Sequence, residues 1–224
     1  MNRTALIQVL GAVAYGEKKA HDMAQLRAEA ADDPDERKAW RTIAAEELRH
    51  HKGFVRRLQA LEADPQRAMA PYQASLDHYH GLPPEHDEVA AAVCDVLGEG
   101  LATDLLTWLR EVVDAPTAAF IDSVLADEAG HEARAVAAVR AMLESQPHGR
   151  RRAAAGARRM VARMAGSSPG SGPSFLAFLQ VGRPHVLVGA LVSGYLRRLG
   201  AIGVGPFAVT DRLASVAGRM GAGR

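Results

Sequence analysis

The amino-acid sequence predicts an all-α protein: four long helices forming two hairpins, joined by a long crossover and followed by a C-terminal helical extension. Three observations carry that prediction. Alanine is abundant, aromatics are sparse and alternating β-branched runs are missing, which favours helix over strand. Apolar residues recur at three- and four-residue steps through four long stretches. Asp–Pro and other Pro-containing breaks separate those stretches. A chain of 224 residues can bury a sizeable core.

The first helix is expected over about 4–30, with Leu6, Leu10, Val13 and Glu17 on its inner stripe. Asp33 and Pro34 start the second, as N-cap and first helical residue, and it runs to about 62. Its inner face reads Trp40, Ile43, Glu47, His50, Phe54, Leu58, Leu61, so two polar residues interrupt an apolar stripe. Residues 63–84 carry Pro65, Pro71, Pro83 and Pro84 and form the crossover, with a short helix over 75–80. The third helix spans about 85–113 on Val89, Ala92, Val96, Glu99, Thr103 and Leu106. The fourth follows Pro116 to about 144 on Ile121, Val124, Glu128, His131, Ala135, Ala138 and Met142. Pro147 divides a bundle of residues 1–146 from an extension of residues 147–224. The extension holds an Arg-rich helix over 149–165, a flexible loop over 166–173 and a helix over 173–199 broken at Pro184. A turn at Gly200, Gly203 and Gly205 then leads to a weak helix over 206–218 and a frayed end.

The net charge of +1 hides a division. Residues 145–224 carry twelve arginines and one acid, Asp211; residues 1–144 carry 15 Lys and Arg against 25 acids. The acidic part suits carboxylates gathered around cations, and the basic part suits a polyanion or docking on the acidic part. The single cysteine, Cys94, excludes an intramolecular disulfide and any CxxC zinc or rubredoxin site. No signal peptide and no apolar run of about 20 residues is seen, so the sequence predicts a cytoplasmic protein without a membrane partner.

The four helices contain a repeat. Tyr15-Gly16-Glu17 matches Leu97-Gly98-Glu99 at a shift of 82, and Glu46-Glu47-Leu48-Arg49-His50 matches Asp127-Glu128-Ala129-Gly130-His131 at a shift of 81. Each half supplies one Glu and then a Glu-x-x-His, whose i and i+3 residues share a helix face. Glu17, Glu47, His50, Glu99, Glu128 and His131 therefore form a candidate cage for two metal ions. Four carboxylates cannot share an apolar core uncompensated, whereas two divalent ions cancel their charge and keep the imidazoles neutral. Solvated surface charge is the competing reading, but both Glu-x-x-His pairs replace members of the apolar stripe.

With these residues the chain resembles the ferritin-like di-iron superfamily over roughly residues 4–145: residues 46–50 fit its acid-Glu-x-Arg-His signature and residues 127–131 its looser second copy. The resemblance implies a ferritin-like four-helix bundle holding two iron ions, or a Mn/Fe pair. It implies that Asp127 orients His50 and Glu46 orients His131, against the alternative of surface acids. Ala14-Tyr15-Gly16-Glu17, Met69-Ala70-Pro71-Tyr72 and the terminal helical region are similar to actinobacterial ferritin-like proteins related to the tRNA hydroxylase of methylthio-isopentenyl-adenosine. Bacterial multicomponent monooxygenases resemble the chain in placing a Thr where Thr103 stands, beside the O₂ side of the cluster; a Thr bonded to its own helix is the alternative.

These readings predict a non-haem di-iron oxygenase or hydroxylase that takes O₂, an organic substrate and electrons from a ferredoxin or reductase, since no flavin or nucleotide fingerprint is seen. A modified tRNA nucleoside is one substrate class, and a small or carrier-bound metabolite is another. A ferroxidase or peroxide-consuming protein is the second reading, and a binding module with a structural metal is the third. A storage cage fits poorly with the long extension, and a rubrerythrin-type peroxidase with the lack of cysteine pairs. Arg150, Arg151, Arg152, Arg158, Arg159 and Arg163 suit RNA phosphates, a phosphopantetheine or a CoA; pairing with acids of the bundle is the alternative. Tyr15 is read as packing, His21 as near the ligands or exposed and His51 as solvated. Bundles of this class often pair as homodimers.

Overall fold

A computed structural model of the protein describes residues 2–80, 86–166 and 172–205. The expected helix over 206–218, most of the 166–173 loop and the side chain of Arg163 lie outside the described residues. Among the described residues the regular structure is entirely helical: α1 Arg3–Ala30, α2 Pro34–Ala60, α3 Pro65–His80, α4 Glu88–Arg110, α5 Ala115–Ser145, α6 Gly149–Gly166, α7 Gly172–Val181 and α8 Pro184–Ala201. The all-α, four-helix-bundle class read from the sequence is the fold observed. No described helix is long and apolar enough to cross a membrane.

Short polar residues start the bundle helices. The side chains of Asn2, Asp33, Asp87 and Asp114 accept from backbone N–H groups of Ala5, Asp35, Ala90 and Thr117. Each such cap is worth about 1 kcal/mol. The helices α1 and α2 pack as one hairpin and α4 and α5 as the other, with α2 meeting α5 across the bundle. Leu6, Leu10 and Val13 of α1, Phe54 and Leu58 of α2, Leu106 and Leu109 of α4, and Ile121 and Val124 of α5 share one buried cluster.

The crossover is more helical than its prolines suggest. Instead of a short helix over 75–80, α3 begins at Pro65, where Asp64 accepts from the backbone N–H groups of Gln66 and Arg67, and it continues through Pro71. Packing explains the tolerance. Ala68, Met69 and Tyr72 are buried as α3 lies on α1. A Cβ at Gly11 would come within 2.2 Å of the Ala68 carbonyl oxygen, so only glycine allows this approach. That burial offsets the hydrogen bond Pro71 cannot make.

The extension packs directly on the bundle: α6 and α8 on α4, and α7 on α1. As a result α4 is buried on two sides. Val89, Val93, Cys94, Val96 and Leu97 share a second cluster with Ala153, Ala157, Met160, Leu199 and Ile202. Residues 173–199 do break near Pro184, between α7 and α8. Gly200 stays helical, and the chain turns at Gly203, whose φ of +76° is left-handed.

Candidate metal centre

Glu17 in mid-α1, Glu47 and His50 one turn apart on α2, and Glu128 and His131 one turn apart on α5 converge inside the bundle. Glu17, Glu47 and His50 are 8%, 5% and 1% exposed, so water contributes little to their solvation. The two carboxylates in the middle each address both imidazoles. Glu47 places Oε2 3.3 Å from His50 Nδ1 and Oε1 3.5 Å from His131 Nδ1. Glu128 places Oε1 3.6 Å from His50 Nδ1 and Oε2 3.7 Å from His131 Nδ1. Glu17 Oε2 lies 3.4 Å from His50 Nδ1. The outer ring nitrogens donate to acids: His50 Nε2–H to Asp127 at 3.0 Å and His131 Nε2–H to Glu46 at 2.7 Å.

Glu99 stands apart. Its side chain is 52% exposed and its Oε1 lies 3.6 Å from Arg27 Nη1. Ligand atoms of Glu17, Glu47, His50 and Glu128 all lie within 4.8 Å of one another, a group that could hold a metal ion and that includes neither Glu99 nor His131. Carboxylate oxygens with imidazole nitrogens are the donor set of iron, manganese and zinc.

The electrostatics point the same way. Burial, helped by the like charge of Glu17, pushes the Glu47 carboxyl up to about 7. Burial alone would lower His50, but hydrogen bonding to Glu17, Glu47 and Asp127 overrides it and carries the imidazole up to about 11. His131 is pushed up to about 9, chiefly by its hydrogen bond to Glu128. Without a cation the cluster therefore neutralises itself with protons, and the Nδ1 atoms that face the carboxylates are protonated. Metal binding must expel those protons. Titration with Mn(II) or Fe(II) at pH 7, in buffers of different ionisation enthalpy, is expected to show release of about two protons per filled centre, with affinity rising with pH through 9 and beyond. Buffer-independent heats would contradict it.

A narrow pocket opens beside this group between α4 and α5, lined by Glu99, Gly100, Thr103, Glu128, His131 and Glu132 among others. Its volume of about 10 Å³ is room for one water-sized molecule. Behind it lies an ion group absent from the sequence reading. Arg198 of α8 is 1% exposed. It donates to Asp104 through Nη1 at 2.6 Å and Nη2 at 3.1 Å, and to Glu132 through Nε at 2.8 Å. The signal was present: Arg198 interrupts the stripe Leu187, Leu191, Gly194, Ile202, as Glu47 and His50 interrupt theirs.

Other candidates fall elsewhere. Tyr15 donates to Asp77 at 2.8 Å. The Nδ1 atoms of His21 and His51 hydrogen-bond at 2.7 Å to the carbonyls of Ala44 and Ala14, so both rings join α1 to α2, and His51 is half-buried rather than solvated. Arg152 pairs with Asp87 at 2.7 Å and with Gln146 at 2.6 Å. Arg150, Arg151 and Arg159 are exposed on α6 and Arg158 is half-buried.

Comparison with known proteins adds a family and a fold. A family model described as a ferritin-like domain of actinomycetes matches residues 2–168. No curated protein matches the chain. A solved structure of a Synechococcus protein described as having aldehyde deformylating oxidase activity aligns over 95% of this chain and 96% of its own, with a TM-score of 0.72 and 18% identity. At that identity the likeness speaks for the fold.

Proposed function

This chain belongs to the ferritin-like domain family of actinomycetes, and we propose that it works as an O₂-using di-iron oxidoreductase on Glu17, Glu47, His50, Glu99, Glu128 and His131. The observation that carries this reading is the crossed geometry of Glu47 and Glu128, each with one oxygen toward each imidazole. Carboxylates so placed would serve a pair of ions. His50 and Glu17 would help hold one, and His131, with Glu99 once it turns inward, would help hold the other. Asp127 and Glu46 accept from the outer ring nitrogens, which leaves each Nδ1 lone pair for a metal. An iron pair bound there would supply electrons and open coordination positions for dioxygen chemistry. Thr103 borders the pocket on the Glu99 side, placed to hydrogen-bond a small molecule there. Electrons come from a separate ferredoxin or reductase.

Two substrate classes follow for an oxygenase. The Synechococcus protein's described activity makes an aldehyde one. Exposed Arg150 and Arg151 make a modified tRNA nucleoside the other, although Arg152 is engaged by Asp87. A second reading is a ferroxidase or peroxide-consuming protein, which needs no organic substrate beside the cluster, where the pocket has room for one water-sized molecule. A single-turnover experiment separates them. Purified protein is analysed for metal, reduced anaerobically and pulsed with O₂ alone, with a fatty aldehyde or with hypomodified tRNA. The oxygenase reading expects an oxygenated or cleaved organic product in one substrate arm, read by mass spectrometry. Ferric protein without organic product in every arm selects the ferroxidase. Failure to bind any metal removes the whole reading.

A further inference from the structure

The two halves of the bundle repeat, and the repeat breaks around Glu99. The shifts that carry Glu17 onto Glu99 and Glu47 onto Glu128 also carry Val13 onto Asp95, Arg27 onto Leu109 and Trp40 onto Ile121. At one end of the centre Val13, Leu109 and Ile121 all lie in a single buried apolar cluster. At the other end their equivalents Asp95, Arg27 and Trp40 make a polar stack. Arg27 Nη2 lies 2.6 Å from Asp95 Oδ2, its guanidinium carbon sits 4.7 Å from the Trp40 ring centroid, and its Nη1 lies 3.6 Å from Glu99 Oε1. One end of the centre is thus sealed by hydrocarbon and the other is faced by a cation held from three sides.

Resting on the metal reading above, we propose that Arg27 is a latch on Glu99. The guanidinium holds Glu99 outward, so the position between Glu47, Glu128 and His131 lacks a carboxylate until a second cation draws Glu99 away. Glu17, Glu47, His50 and Glu128 already share one ligand group, so their position fills first. Asp95 keeps Arg27 paired after Glu99 leaves, so opening the latch strands no charge. The two positions therefore fill in order and with unequal affinity, an asymmetry written into Arg27 rather than into the ligands, which are the same in both halves.

Metal-free full-length protein titrated with Mn(II) tests this, read by calorimetry and by electron paramagnetic resonance. The first equivalent is expected to give the signal of an isolated Mn(II), and the second, weaker equivalent that of a coupled pair. Arg27→Met is expected to tighten the second equivalent about fivefold, the scale of a partly exposed ion pair, without moving the first. Arg27→Lys should restore much of the gap. Glu99→Gln should abolish the second event and spare the first. Equal affinities in the unmodified protein, or an Arg27→Met protein whose second equivalent is unchanged, would overturn the latch while leaving a two-metal centre standing. Absence of Mn(II) binding, repeated with Fe(II), would overturn both.

Discussion

Glu47→Gln is expected to empty both metal positions at once and to raise the stability of the metal-free protein. The first half follows from geometry. Glu47 reaches toward both imidazoles, at 3.3 and 3.5 Å, so its removal deprives each ion of a ligand, whereas losing Glu17 touches only the His50 side. Bound metal should fall from about two equivalents to well below one, with loss of any O₂ chemistry. The second half follows from the sign of the shift. A carboxyl raised from 4.5 to about 7 binds its proton more tightly folded than unfolded. Its contribution is present at low pH and is lost as pH climbs through that window. At pH 8 the metal-free protein pays on the order of 3 kcal/mol for the buried charge, and Gln removes that penalty. Melting curves with chelator should place the variant above the unmodified protein at pH 8, with the difference vanishing near pH 4.5. Adding Fe(II) or Mn(II) should reverse the order, because the unmodified protein alone gains ligand stabilisation. A variant that still carries two ions, or that melts lower at every pH with chelator, would contradict the bridging role and the buried-charge account respectively.

Much of the fold was legible because helix signals here are local. Asp33-Pro34 and Asp114-Ala115-Pro116 announce starts that side-chain caps then realise. The convergence of polar side chains was legible for a related reason: Glu47 and His50 sit where the stripe of α2 demands apolar residues, and they meet Glu17, Glu128 and His131 inside the bundle. What sequence could not reveal depends on neighbours. Pro71 reads as a breaker until Gly11 lets α3 settle on α1. A single inner stripe on α4 assumes one buried face, but α6 and α8 cover the other, so Val93, Leu97 and Trp108 are buried as well. Glu99 keeps its helical register, yet its side chain answers Arg27, which lies 72 positions earlier in the chain. Within the Arg-rich extension the pattern cannot distinguish Arg152, tied to Asp87, from exposed Arg150 and Arg151.

Arg198→Met is the substitution expected to cost most stability away from the metal ligands. Asp104 is 5% exposed and accepts two hydrogen bonds from the Arg198 side chain, at 2.6 and 3.1 Å, and a longer one from Arg197 at 3.5 Å, while Glu132 accepts one from Arg198 at 2.8 Å. The backbone is shaped around these groups. A Cβ at Gly100 would lie 1.9 Å from the Arg198 Nε, and one at Gly194 would lie 1.9 Å from an Asp104 carboxylate oxygen. Methionine matches the length of the side chain but leaves buried Asp104 with only the exposed Arg197, at 3.5 Å, as a cationic partner. Breaking a buried pair from one side costs about 3–5 kcal/mol, which for a chain of this size lowers Tm by roughly 10 °C. Lysine should recover only part, since a single ammonium cannot serve both oxygens of Asp104 and Glu132 in the fork that Arg198 provides. Combining Arg198→Met with Asp104→Leu should return most of the loss, because the cost lies in the stranded charge more than in the missing contact. Denaturant unfolding of the two single variants and the double variant closes the cycle. Additive losses, with no recovery in the double variant, would show that Arg198 acts through packing alone.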